Sequence, residues 1–217
     1  MRRVSPLPVV LLASGIAGCA NTYSAAGSLA LASMSAPKTA LHQNERIVWT
    51  DQVVWTRQYI ATALTDDRSA RIARDQLSVN GEAIGGTLKP YYGETAGAGL
   101  TSMLMVQFGF TSELIQAEKS GNLEKKKELE RGLHENSNAI ARYLAGLNPY
   151  WSPTELESLL NRTFELDLSA RNMVVGKDGR LDRDEMARDG SLNQARELAD
   201  VISDGIVRQF PYGAYWR

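Results

Sequence analysis

The chain has 217 residues, enough for one domain with a sizeable core, and its 43% hydrophobic and 23% charged content with only 7 prolines excludes a disordered or collagen-like polymer. Its 24 basic and 25 acidic residues nearly balance; without Arg2 and Arg3, the only charged residues among the first 18, 22 basic face 25 acidic side chains. That balance lacks the basic footprint needed to neutralise phosphates, so no nucleic-acid partner is expected. One cysteine excludes an intrachain disulfide, and two histidines, His42 and His134, offer little to a transition metal.

At the start, Met1, Arg2 and Arg3 form a positive segment and residues 4–15 a short apolar run, well below the ~20 residues a spanning helix needs. Ile16-Ala17-Gly18-Cys19 follows, small residues ending in the single thiol. This succession resembles the lipobox of bacterial lipoproteins. The resemblance implies a signal peptide over residues 1–18, cleavage before Cys19, a diacylglycerol on its thiol and acylation of the new amino end. The implied partner is a membrane, reached through lipid on Cys19 in the cell envelope. Ala20, rather than Asp, follows the cysteine; likeness to enterobacterial lipoproteins then implies the outer membrane, facing the periplasm, over the inner membrane.

Residues 20–38 are rich in Ala, Ser and Gly with no charge before Lys38, and read as a flexible tether. The rest, 39–217, is expected to be a bundle domain. Helical periodicity predicts six helices, at about 39–65, 67–88, 94–119, 122–146, 153–175 and 184–209, and no alternating strand pattern appears. Ser152-Pro153-Thr154-Glu155 is a capping box with proline at the first helical position. Lys89-Pro90-Tyr91-Tyr92-Gly93 and Leu147-Asn148-Pro149-Tyr150-Trp151 are expected to stop helices, since the residue before proline disfavours helical geometry.

These two stops belong to an internal repeat. An offset of 56 aligns Leu77 with Leu133, Asn80 with Asn136, Ile84 with Ile140, Leu88 with Leu144, Leu100 with Leu156, Leu104 with Leu160 and Phe108 with Phe164. The fold class expected is therefore all-α, an up-down bundle of about six helices with an internal helix-pair duplication.

Several apolar stripes carry a polar residue. Gln107 lies among Leu100, Met103, Leu104, Phe110 and Leu114; Thr163 falls at the same offset of 56, Gln52 sits among Val48, Trp49, Trp55 and Tyr59, and Gln194 beside Leu198 and Val201. These four are expected near one level of the bundle, either as hydrogen-bonded core residues that fix register or as a small polar pocket. Arg57, Glu113, Glu165, Asp200 and Asp204 lie next to the stripes and are candidates for buried ion pairing, with Arg57 and one acid as a bidentate pair. An enzyme using Arg57 and these acids is the alternative to a binding or structural role; no nucleophile, phosphate loop or base accompanies them, and no catalytic residue is assigned.

A second resemblance rests on Trp55-Thr56-Arg57, Lys89-Pro90-Tyr91-Tyr92-Gly93-Glu94 with Ala96-Gly97, Asn148-Pro149-Tyr150-Trp151-Ser152, and Ile202-Ser203-Asp204-Gly205-Ile206 with Gln209-Phe210-Pro211. Together, over about residues 45–211, they look like a family of small uncharacterised bacterial helical proteins. Other members place histidine where this chain has Gln52, Gln107, Thr163 and Gln194, which implies a metal or haem site in those relatives. This chain departs at all four positions, so no metal and no cofactor is carried over; a degenerate relative of a metal- or haem-binding bundle is a further alternative.

Residues 174–185 match only the second half of a calcium loop, through Asp178, Asp182 and Glu185, while Val174 and Gly176 supply no ligand oxygen at its first and third positions, so a Gly/Asp turn is expected instead. No paired Glu-x-x-His motif of a di-iron bundle is present. Glu130 and His134, four apart, and the alternating charges of residues 124–131 read as a solvated helix face. Tyr91, Tyr92, Tyr150 and Trp151 occupy matching turns and are expected to cap the core, with ligand stacking as their other use.

Overall fold

The computed structural model describes the backbone at residues 25–63, 65–174 and 185–212, and the side chains at 38–63, 65–165 and 189–212. Within these the chain forms six helices: α1 (Ala25–Thr62), α2 (Asp67–Tyr92), α3 (Glu94–Lys119), α4 (Leu123–Leu147), α5 (Pro153–Val174) and α6 (Glu185–Gln209). No strand occurs among the described residues. Each helix packs on the next, α6 returns against α1, and α1 also touches α5, so the up-down bundle closes on itself. No helix among the described residues is long and apolar enough to cross a membrane.

Local chemistry sets the helix ends. Asp66 accepts from the backbone N–H groups of Arg68 and Ser69 at 3.0 and 3.2 Å and so caps α2, while the Ser69 hydroxyl and these amides hold the Asp66 carboxyl below its ordinary range. Asn122 caps α4 through the Lys125 amide at 3.0 Å. Ser152 accepts from the Glu155 amide at 3.3 Å with Pro153 opening α5, as the capping box predicts. The expected end of this helix, at residue 88 ahead of Pro90, lies four residues too early. The helix runs through Pro90, which is exposed and in the last turn, and ends where Gly93 adopts φ +87 and donates its N–H to Lys89 O at 2.9 Å. At the other extreme, α1 starts at Ala25, within the stretch expected to be a tether.

The described side chains of all six helices include apolar residues at helical spacing that turn inward. The main core joins Trp49 and Val53 of α1, Ile84 and Leu88 of α2, Leu100 and Leu104 of α3, Ile140 and Leu144 of α4, Leu156 and Leu160 of α5, and Leu198, Ile202 and Ile206 of α6. Burying each such side chain contributes roughly 1.5–3 kcal/mol. A smaller cluster of Tyr59, Ile60, Ala73, Leu77 and Ile115 fills the far end. α2 and α3 approach most closely at Gly85 and Gly97: a Cβ on Gly97 would stand 2.5 Å from Gly85 O, and one on Gly85 would strike Thr101 and the Gly97 carbonyl. At the opposite end from Ile115, Tyr92 rests on Trp151 and Phe210, with ring centroids 5.6 and 5.4 Å away, and Tyr91 on Phe210 at 5.5 Å. These rings close the core, whereas Tyr150 is more than half exposed.

Candidate functional site

The four polar stripe residues each find hydrogen-bond partners outside the set. Gln52, Gln107 and Thr163 are buried, and Gln194 is half-buried. Asn80 of α2 donates through Nδ2 to Val48 O and to Gln52 Oε1, both at 3.0 Å. One repeat later, Asn136 of α4 donates through Nδ2 to Met103 O at 3.0 Å and to Gln107 Oε1 at 2.6 Å, and Gln107 Nε2 reaches Ser137 Oγ at 3.4 Å. The same clamp, an asparagine holding the glutamine and a carbonyl of the preceding helix, thus occurs twice. In the third pair Thr163 instead returns its hydroxyl to Leu159 O of its own helix at 2.8 Å. Gln194 Nε2 donates to Glu197 at 3.1 Å, while its Oε1 is buried without a partner. No hydrogen bond joins any two of the four. Among the described residues, no cluster of His, Cys, Asp or Glu is placed to hold a metal ion.

The candidate ionic residues lie further out than the sequence suggests. Glu113, Glu165 and Asp204 are exposed and pair with Lys125 at 3.8 Å, His134 at 3.7 Å and His42 at 3.5 Å. Half-buried Arg57 donates from Nη2 to Ser191 Oγ at 2.8 Å. The bidentate pair in this region belongs to Arg46, whose Nε and Nη2 donate to Asp200 Oδ1 and Oδ2 at 2.6 and 2.7 Å. That fork holds the Asp200 carboxyl below its usual range, outweighing its partial desolvation. Ser203, His42 and Asp204 superficially match the composition of a hydrolytic triad. The Ser203 hydroxyl, however, is fully buried and has Ala199 O, on its own helix, as an acceptor at 2.8 Å, while His42 Nδ1 lies 2.7 Å away in a contact whose donor depends on the imidazole tautomer. A hydroxyl held in this way is a helix contact rather than a nucleophile.

One residue that sequence reasoning missed stands apart. Glu45 of α1 is 0% exposed. Its Oε2 accepts from Trp49 Nε1 at 3.2 Å, whereas its Oε1 is buried with no hydrogen-bond partner. The Thr87 hydroxyl lies close but gives its own hydrogen bond to Ile84 O at 2.8 Å. Burial dominates and pushes the Glu45 carboxyl up from 4.5 to about 7, against the opposing influence of Thr87 and Trp49. Around it, Tyr92 donates to Gln209 Oε1 at 2.9 Å and accepts from Asn148 Nδ2 at 2.8 Å, while burial raises both Tyr91 and Tyr92, whose deprotonation the Glu45 charge also opposes. The structure therefore places a carboxyl among apolar and aromatic side chains at the end of the bundle where α2 finishes.

The repeat shows how unusual this is. In the frame that sets Gln52 against Gln107 and Thr163, Glu45 corresponds to Leu100 and Leu156, both fully buried core residues. An acid occupies a leucine position.

Other sequence expectations fall elsewhere. Cys19 lies outside the described residues, as does most of the calcium-like segment 174–185. His134 sits on the exposed face of α4, 3.1 Å from Asn161 Oδ1, and with Glu124, Lys127, Glu130 and Arg131 lines only an open depression on that helix. No family model matches the chain, and neither a curated protein nor a solved structure matches it.

Proposed function

We propose that this chain is a lipid-anchored protein of the cell envelope whose helical bundle serves a binding or structural role. The observation that carries the proposal is the succession of Arg2-Arg3, an apolar run over residues 4–15 and Ile16-Ala17-Gly18-Cys19, ending in the one thiol of the chain. Several acyl chains, each contributing about 0.8 kcal/mol per buried CH₂, would make that anchor durable. A binding or structural role agrees with a polar core whose amides are engaged with one another rather than with an open site. Ala20 after the cysteine favours the outer membrane.

The test is expression of the full chain in a Gram-negative host fed an alkyne-tagged fatty acid, followed by intact mass measurement and membrane fractionation. A chain that begins at Cys19, carries acyl mass and leaves the membrane fraction on Cys19→Ser substitution supports the proposal. An unmodified Cys19 in the purified native protein would overturn it.

A further inference from the structure

A carboxyl at a core leucine position is a local conflict, and in folded proteins such conflicts concentrate where a residue is kept for function. Gln52 and Gln107 resolve theirs through Asn80 and Asn136, whereas Gln194 keeps one buried amide oxygen, an uncharged group, without a partner. The Glu45 carboxyl is likewise unresolved, having one indole N–H for two oxygens. Among the described residues no cation pairs with it either. On its own helix, Arg46 turns to Asp200 and His42 to Ser203 and Asp204 of α6. On α2, Lys89 pairs at 2.9 Å with Glu94 of α3, and Tyr91 and Tyr92 are the titratable groups of that helix that feel the Glu45 charge. On α5, the nearest acids in sequence to Leu156 are Glu155, which is exposed, and Glu157, which faces Arg142 at 3.4 Å.

We infer that Glu45 is a proton-binding site acting as a latch: protonated, it lies buried among Trp49, Thr87 and the Tyr91-Tyr92 end of α2, and release of its proton frees this end of α1 from α2. The ligand is a proton, because a neutral carboxyl is the form that two oxygens with a single donor can tolerate in a dry site. In the opened state the carboxyl meets water and recovers its ordinary acidity, so opening releases one proton. The opening equilibrium then rises about tenfold per pH unit between 4.5 and about 7 and levels off above. The consequence is local, since the far-end cluster around Ile60, Leu77 and Ile115 contains no part of this site.

Hydrogen exchange of the purified full chain tests this, with exchange times scaled to the intrinsic rate at each pH. Peptides spanning residues 38–50 and 84–92 are expected to lose protection about fortyfold between pH 5 and 7 in the wild type. Peptides from the middle of α4 stay unchanged, and Glu45→Gln and Glu45→Leu remove the pH dependence. Wild-type protection that is flat across this range, or an unchanged slope in Glu45→Gln, overturns the inference. Should neither variant fold, carbon NMR of glutamate-labelled wild type decides: titration of the Glu45 carboxyl near 7 supports the latch, and titration near 4.5 removes it.

Discussion

Asn136 offers a quantitative test of whether the polar core holds helix register. Its amide donates to Met103 O and to Gln107 Oε1, the latter at 2.6 Å, and Gln107 is almost wholly buried. Asn136→Ala removes both donors and leaves a buried amide oxygen unmet, at a cost of about 1–3 kcal/mol. Gln107→Leu, close in volume, removes the acceptor and leaves Asn136 still bonded to Met103 O, so about 1 kcal/mol is expected. In the double variant the orphaned oxygen no longer exists, and its destabilisation should fall short of the sum by about 1–2 kcal/mol. Urea unfolding followed by circular dichroism measures all four species, provided the slope with denaturant is common to them. The Asn80–Gln52 cycle should give a coupling within about 0.5 kcal/mol of the first, because donor, acceptor and backbone carbonyl are repeated. Additivity within about 0.3 kcal/mol in both cycles would refute the reading of these amides as register clamps.

Other substitutions follow from close packing. Gly205→Ala puts a methyl group against Nε1 of the buried Trp151, which donates to Val201 O and Ile202 O at 3.2 Å; a loss of about 1–3 kcal/mol and a red-shifted tryptophan emission are expected. Gly85→Ala forces α2 and α3 apart and should lower the midpoint of thermal unfolding by several degrees, at about 2–4 °C per kcal/mol for a chain of this size. Arg57→Ala, which removes the bond to Ser191 Oγ, should cost about 1–2 kcal/mol in urea unfolding; unchanged stability would free Arg57 for a role other than packing.

Much of the architecture is legible in the residues because helix formation here is set locally. α3 begins and ends at the predicted residues 94 and 119, and the Ser152-Pro153 cap opens α5. Pro90 misled because a proline in an exposed last turn removes only one hydrogen bond, and Gly93 is the true terminator. In the frame that sets Gln52 against Gln107 and Thr163, Glu45 and Trp49 stand where the later helices have Leu100 with Leu104 and Leu156 with Leu160, so the apolar pattern is broken in α1. Glu45 itself looks solvated within Gln43-Asn44-Glu45-Arg46, and only the packing of other helices against α1 buries it. Its phase with Val48, Trp49 and Gln52, and the offset of 55 to Leu100, were the available signals. Glu113, Glu165 and Asp204 misled in the opposite direction. Helical phase separates faces but not the rim of an apolar stripe from its centre, and these acids lie on the rim.

The burial of an acid at position 45 is tested most directly by the pH dependence of unfolding in wild type and Glu45→Gln. A buried acid raised from 4.5 to about 7 contributes its full share of stability below pH 4.5 and loses it as pH climbs to about 7, roughly 3 kcal/mol in all. Titration of the remaining groups is common to both proteins. The wild-type free energy of unfolding should therefore fall by about 3 kcal/mol relative to Glu45→Gln between pH 4.5 and 7.5, then run parallel to it. Two curves that stay parallel across the whole range would mean that Glu45 is ionised and solvated in the folded protein.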